Sequence, residues 1–292
     1  MCRLLGILSD KKMKIAPIYK MLSIVLKMLC VKYGECHGHG CGVAWLSDNS
    51  WVVRKYAQPL WESEIMENII REVKSKAYIM HARKSTFPVD SLLGMRGENS
   101  HPFIHTVRGE QFVFAHNGYV VFDESKISVN PSEKLLEFNG RKEYLTSNGT
   151  DSEIFFRILL ASVLDNGLKE PDCIICALED ILNGTIIKDF RAINFVMGSE
   201  KYMYALRYYN EDYPDSGATH TLYYLMKNQQ HGYKTYGGLY ISSEPLTGDK
   251  WIEETKNITG VQEEKWTELK NRYIIYVPID NPREIHVTKL HV

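Results

Sequence analysis

The order of apolar segments predicts an α+β domain in which helices cover β-sheets. Three observations carry this expectation. An apolar strand-like run begins at the second residue, helix-like stretches alternate with strands before residue 185, and a succession of short strands fills the remainder. Without a linker, an internal repeat or a low-complexity tract, residues 1–292 read as a single domain.

Each element has a local cause. Cys2–Leu8 is a short apolar run, and a strand so close to the start places the beginning of the chain inside the fold. From Pro17 to Tyr33, Lys20 and Lys27 stand seven apart among Ile, Leu, Met and Val, as in a largely buried helix. Gly34–Gly42 is a glycine-rich loop leading into a strand at Val43–Leu46, followed by a helix over Glu62–Val73. Ala77–Arg83 and Gln111–His116 read as apolar strands that end in polar residues. Thr150 with Glu153 three residues later forms a capping box for a helix to Leu164, and a second helix covers Ile175–Leu182. Short strands follow at 193–197, 202–207, 222–226, 238–241, 273–277 and 285–291, with Tyr209–Thr219 as a loop.

Composition narrows the function classes. With 44% hydrophobic and 24% charged residues the chain can bury a core, and 35 Lys and Arg against 36 Asp and Glu create no basic field for nucleic acid. The most apolar stretch, Met21–Val31, is interrupted by Lys27 and is too short to span a membrane, so no membrane partner is expected. Leu4–Leu8 is too short for a secretory signal, which points to the cytoplasm. Six cysteines, at 2, 30, 36, 41, 173 and 176, are too sparse for a disulfide framework and read as reduced thiols.

Cys2 directly follows the initiator methionine. Its side chain is small enough for Met1 to be removed, leaving a thiol and a free α-amine on one residue. With pKa values of about 7.7–8.0 for the amine and about 8.5 for the thiol, the amine can accept the thiol proton and pass it to a leaving group. Position alone favours a packing cysteine on an apolar strand. The surrounding motifs decide otherwise. Met1-Cys2-Arg3-Leu4-Leu5-Gly6, His81-Ala82-Arg83-Lys84-Ser85-Thr86, Asn99-Ser100-His101-Pro102-Phe103, Phe114-Ala115-His116-Asn117-Gly118 and Gly149-Thr150-Asp151-Ser152-Glu153 occur in that order. Together they resemble the class II glutamine amidotransferases, which are N-terminal nucleophile (Ntn) hydrolases. Gly40-Cys41-Gly42-Val43-Ala44-Trp45 and Ser243-Glu244-Pro245-Leu246 are similar in form to the stand-alone members.

The resemblance implies a four-layer αββα sandwich. It casts Cys2 as the nucleophile, with the Asn117 side-chain amide and the Gly118 N–H as oxyanion hole. Arg83 would grip the α-carboxylate of glutamine with its planar fork, and Asp151 would pair with the α-ammonium. Thr86, His101 and Phe103 would shape the glutamine pocket or the loop that covers it. Read without that context, Arg83 is a strand-end ion-pair partner, Asp151 a helix-start acid and Asn117-Gly118 a hairpin turn. Arg3 reads equally as an electrostatic anchor or a solvated side chain. His116 invites a Cys–His pairing that an N-terminal amine makes unnecessary. The reaction would release ammonia and glutamate by way of a γ-glutamyl thioester, with no metal or organic cofactor.

Two departures keep alternatives open. The stand-alone members often carry Asp and Trp where this chain has His39 and Cys41. Cys36, His37, His39 and Cys41, with Cys173 and Cys176 elsewhere, offer a zinc alternative to simple packing. The sequence also has no Gly-x-x-x-x-Gly-Lys-Ser/Thr or Gly-x-Gly-x-x-Gly segment for an acceptor-activating domain. The expected partners are therefore glutamine or another γ-glutamyl small molecule, and a separate synthase subunit that accepts ammonia. A homo-oligomer is compatible with this reading, as is a non-catalytic zinc- or ligand-binding relative.

Overall fold

The computed structural model describes residues 2–85, 94, 96–167, 169–227, 237–246 and 264–292. Its organising element is β1 (Arg3–Lys14), whose residues are apolar on both faces. Leu4 and Leu8 point one way and Leu5 and Ile7 the other, and all four are fully buried. A strand of this kind needs cover on both sides.

Among the described residues two large antiparallel sheets provide it. The first has the order β14 (Thr267–Glu268), β12 (Tyr223–Lys227), β13 (Gly238–Ser242), β1, β4 (Lys74–Ala82), β2 (Cys41–Ser47), β3 (Ser50–Tyr56). The second runs β16 (His286–Lys289), β15 (Tyr273–Pro278), β11 (Tyr202–Arg207), β10 (Ile187–Gly198), β6 (Glu110–Phe122), β5 (Phe103–Val107). Helices α1 (Ala16–Tyr33) and α2 (Glu64–Glu72) cover the first sheet, while α3 (Asp151–Asn166) and α4 (Asp172–Asn183) cover the second.

Three apolar clusters fill the spaces between these layers. Leu5 and Ile7 meet Leu22, Val25 and Leu26 of α1. Leu4 and Leu8 meet Val113, Ala115 and Val196 across the two sheets. Phe112 and Phe114 meet Phe155, Phe156 and Leu159 of α3. The result is the expected four-layer αββα sandwich.

The expected strands and helices form, with boundaries displaced by a few residues. β3 and the small sheet of β7 (Ile127–Asn130), β8 (Leu135–Phe138) and β9 (Arg141–Tyr144) had no clear apolar alternation to announce them. The loop at 209–219 contains a one-turn helix, α5 (Ser216–Thr219). Only half of the expected capping box forms. Thr150 Oγ1 accepts the Glu153 N–H at 3.3 Å, but the Glu153 carboxylate turns away to the N–H groups of Thr146 and Ser147, at 2.8 and 2.7 Å. The reduced-thiol reading fails for one pair, because Cys30 and Cys36 form a disulfide. Gly34, with φ of 69°, ends α1 and reverses the chain, returning Cys36 to the last helical turn. Cys2, Cys41, Cys173 and Cys176 are free thiols. No helix among the described residues is long and apolar enough to cross a membrane.

Phe114 lies between the second sheet and α3, its ring stacked 5.0 Å from Phe156. Phe114→Ala is expected to lower the unfolding free energy by about 3–5 kcal/mol. The exposed Tyr144→Ala should stay within about 0.5 kcal/mol. Urea titration of the two variants checks the contrast.

Candidate active site

The start of β1 is anchored before it can carry chemistry. Leu4 N–H donates to Ser243 Oγ and Leu4 O accepts from Ser243 N–H, both at 3.0 Å. Arg3 alternates away from Cys2, is 5% exposed, and bridges Glu35 and Glu244 at 3.1 Å each. It also donates to the Cys2 carbonyl at 3.2 Å. Arg3 is thus a buried anchor, not a solvated side chain, and Ser243-Glu244 is the opposite half of that anchor.

Alternation places the remaining groups on the seam between the sheets. Cys2 continues the face of Leu4 and Leu8, Arg83 that of Ala77 and Ile79, and Asn117 that of Val113 and Ala115. Cys2 N lies 2.9 Å from Asn117 Oδ1. Asn117 Nδ2 is buried and has no hydrogen-bond partner among the described residues. An unpaired buried donor costs about 1–3 kcal/mol, and here it points to a place for an acceptor. Asn117-Gly118 is not a hairpin turn. β6 runs through it to Phe122, with Asn117 opposite Asn194 and Gly118 opposite Ile193 in β10. A Cβ at Gly118 would fall 1.8 Å from the Ala192 carbonyl oxygen, so only glycine fits.

Cys2, Arg83, Gly118, Asp151 and His101 line one cavity of about 410 Å³. A larger hollow of about 800 Å³ between α1 and α2 holds none of them. Arg83 is 6% exposed and donates to the Gly94 and His39 carbonyls and to Ser85 Oγ. Desolvation draws its pKa down, while Cys2 and Asp151 push it back up. A guanidinium remains charged under such pressure. Asp151, the first residue of α3, accepts the Val120 N–H on Oδ2 at 3.0 Å. Desolvation pushes its carboxyl up, opposed by the hydrogen bonds of Val120 and Ser152 and by Arg83. The cavity therefore sets a cation and an acid, the two groups an α-amino acid end requires, beside a thiol.

Of the residues expected at the site, Cys2, Arg83, His101, Asn117, Gly118 and Asp151 come together, while Thr86 lies outside the described residues. Phe103 does not shape the cavity. It is fully buried in the core between the second sheet and its helices. The metal-like residues do not converge. Cys36 is bonded to Cys30, Cys41 is buried in β2, and His39 Nδ1 accepts the Ser85 N–H. Among the described residues no group of three or more His, Cys, Asp or Glu could hold a metal ion. Cys173 packs into the core as a small hydrophobe. Arg191, His220 and the Lys84 backbone also reach the cavity, and no local motif singled them out.

The family model for class II glutamine amidotransferases matches residues 1–234. The chain belongs to that family. An uncharacterized protein of Methanocaldococcus jannaschii is 25% identical over 272 residues, covering 86% of this chain and 66% of that protein. The glutamine phosphoribosylpyrophosphate amidotransferase of B. subtilis superposes on the whole chain with a TM-score of 0.60 at 16% identity. The chain spans 50% of that enzyme's length. A glutamine aminotransferase class-II domain protein of Silicibacter pomeroyi gives a TM-score of 0.55 at 16% identity, with both chains fully covered. At such identities the two structures establish a shared fold.

Histidines crowd the site, and burial holds them neutral. His116 Nε2 faces the Ala192 carbonyl at 3.2 Å, so it carries the hydrogen, leaving Nδ1 to accept from Ser152 Oγ at 2.9 Å. With both nitrogens engaged, His116 is no base for Cys2, and desolvation draws its pKa down to about 4. His81 Nε2 lies 3.2 Å from the His116 carbonyl and 2.7 Å from His101 Nδ1. Burial lowers His81 and His101 well below the usual value, His220 to about 4 and His37 to about 2.

The unfolded chain protonates these five rings near pH 6.5, whereas the native state does not. Their contribution to stability is whole above pH 6.5 and is lost as pH falls toward the native values, by about 1.4 kcal/mol per pH unit for each ring. Unfolding midpoints in urea should therefore change little between pH 8 and 7 and drop steeply between pH 6.5 and 4.5.

Proposed function

We propose that this amidotransferase hydrolyses the side-chain amide of glutamine with Cys2 as an N-terminal nucleophile. The supporting observation is the Cys2 N to Asn117 Oδ1 contact of 2.9 Å, combined with an unpartnered Asn117 Nδ2 beside the sulfur-bearing residue. One amide would orient the α-amine through its oxygen and present its N–H to the developing oxyanion. The Gly118 N–H supplies the second donor in this reading.

The steps follow from the chemistry of the groups. With Met1 removed, the α-amine accepts the Cys2 thiol proton and the sulfur attacks the side-chain amide carbon of a glutamine whose amino acid end is held by Arg83 and Asp151. The tetrahedral oxyanion collapses, the C–N bond breaks, and the amine delivers the proton to the departing nitrogen, which leaves as ammonia. Water then adds to the γ-glutamyl thioester, its proton taken by the same amine and returned to the sulfur as glutamate departs. No redox partner enters the balance.

Glutamate and ammonia release from glutamine tests the proposal. Cys2→Ala should abolish turnover, and intact mass should show Met1 missing from active protein. Asn117→Ala should lower kcat by about 10²–10³-fold, as expected for loss of one oxyanion donor. Arg83→Lys should instead raise KM by about 10- to 100-fold, the loss of a charged hydrogen bond, with kcat less affected. Equal activity in wild type and Cys2→Ala would refute the proposed mechanism.

A further inference from the structure

We infer that His39 is a positioning residue for the Cys2 thiol, acting through the peptide group that joins Lys84 to Ser85. This rests on Cys2 being the nucleophile. His39 is one of the two residues by which this chain departs from the pattern of its stand-alone relatives, and the proposed reaction gives it no task.

The geometry is that of one rigid unit held at both ends. The Ser85 N–H donates to His39 Nδ1 at 2.8 Å, and the carbonyl of the same peptide, Lys84 O, lies 3.8 Å from Cys2 Sγ. A trans peptide is planar with its N–H and C=O directed oppositely, so fixing the N–H on His39 aims the carbonyl at the sulfur. His39 is itself fixed by backbone pairing. Its N–H donates to Arg83 O at 3.0 Å, and Arg83 N–H donates to Gly40 O at 2.8 Å. Gly40 has φ of +134°, a conformation that favours glycine, so the backbone path that lets its carbonyl accept the Arg83 N–H depends on that residue.

The ring must be neutral at Nδ1 to accept the Ser85 N–H. Desolvation and, after it, the charges of Arg83 and Lys84 lower its pKa, which keeps it an acceptor at neutral pH. A carbonyl oxygen accepts a hydrogen bond from a thiol but repels a thiolate. The oriented peptide therefore fixes the direction of the thiol hydrogen, and with it the rotamer from which the sulfur attacks once the α-amine has taken the proton. Without the His39 acceptor the Lys84–Ser85 peptide rotates, the oxygen withdraws, and the sulfur is released from that rotamer. Arg83, the charge that faces the sulfur, remains in place.

The test is the pH profile of Cys2 alkylation by iodoacetamide, located by peptide mass, alongside glutaminase kcat and KM and the melting temperature. His39→Ala should lower kcat about five- to tenfold, the equivalent of one neutral hydrogen bond, with KM little changed, and raise the alkylation rate at each pH as the sulfur is released from the Lys84 carbonyl. His39→Asn, whose Oδ1 reaches near the Nδ1 position, should restore both. His39→Gln, whose oxygen reaches past it, should not, and the Asn and Gln pair carries the test if the alanine variant fails to fold. Identical profiles in all folded variants, or an asparagine variant shifted as far as the glutamine one, would overturn the inference. If wild type is inert toward glutamine while alkylation still follows residue 39, the reaction is wrong and the positioning role stands.

Discussion

The site depends on β1 being buried on both faces at the very start of the chain. An isolated terminus frays because ordering it costs conformational entropy with little burial in return. Here Leu4 and Leu8 fill the space between the sheets while Leu5 and Ile7 fill the space under α1. Strand pairing on both edges, to β13 and β4, completes the restraint. The consequence is chemical. A residue at position 2 has a nearly fixed backbone, so its nitrogen can be held 2.9 Å from a side chain 115 residues away.

Burial also sets the electrostatics. The cavity wall holds charged groups whose roles are complementary, Arg83 and Asp151, while the nearby rings of His81, His101, His116 and His220 are kept neutral by desolvation. Protonated, any of these rings would add a positive charge near Arg83 in a low-dielectric setting. Facing backbone carbonyls place the ring hydrogen of His81 and His116 on Nε2 and that of His220 on Nδ1. Thus the same rings that make the fold sensitive to acid keep the field around the thiol simple at neutral pH.

Much of this was legible in the sequence, for identifiable reasons. β1, β4 and β6 carry apolar runs, and the polar residues that end the last two marked the segments of Arg83 and His116 as candidates. The strand through Asn117-Gly118 was not legible locally, because that dipeptide is the usual signature of a turn. It is overridden by pairing with β10, where the missing Cβ admits the Ala192 carbonyl. Phe103 belongs to a core made by residues 50 positions later in α3, a contact no local pattern encodes. The Cys30–Cys36 bridge was hidden by the low overall cysteine content, which speaks for the whole chain and not for one pair six residues apart.

The loop between α1 and β2 shows how one short segment can serve both sides of the cavity. Glu35 meets Arg3, the residue after Cys2, and His39 and Gly40 meet residues 83–85, which include Arg83 of the cavity wall. Two strands of the first sheet are thereby tied together at their cavity ends by a segment that belongs to neither. The disulfide pins the near end of that segment to α1, and the pairing of Cys41 with Ala82 pins the far end to the sheet. A loop so restrained loses little further entropy when it orders its contacts, which is why glycine-rich sequence here is compatible with a well-defined wall. Where the loop enters β2, glycine serves close approach: a Cβ at Gly42 would fall 2.0 Å from the His101 carbonyl oxygen. The start of β2, the His101 segment and β4 are therefore stacked at backbone contact distance, and the position of each depends on the other two.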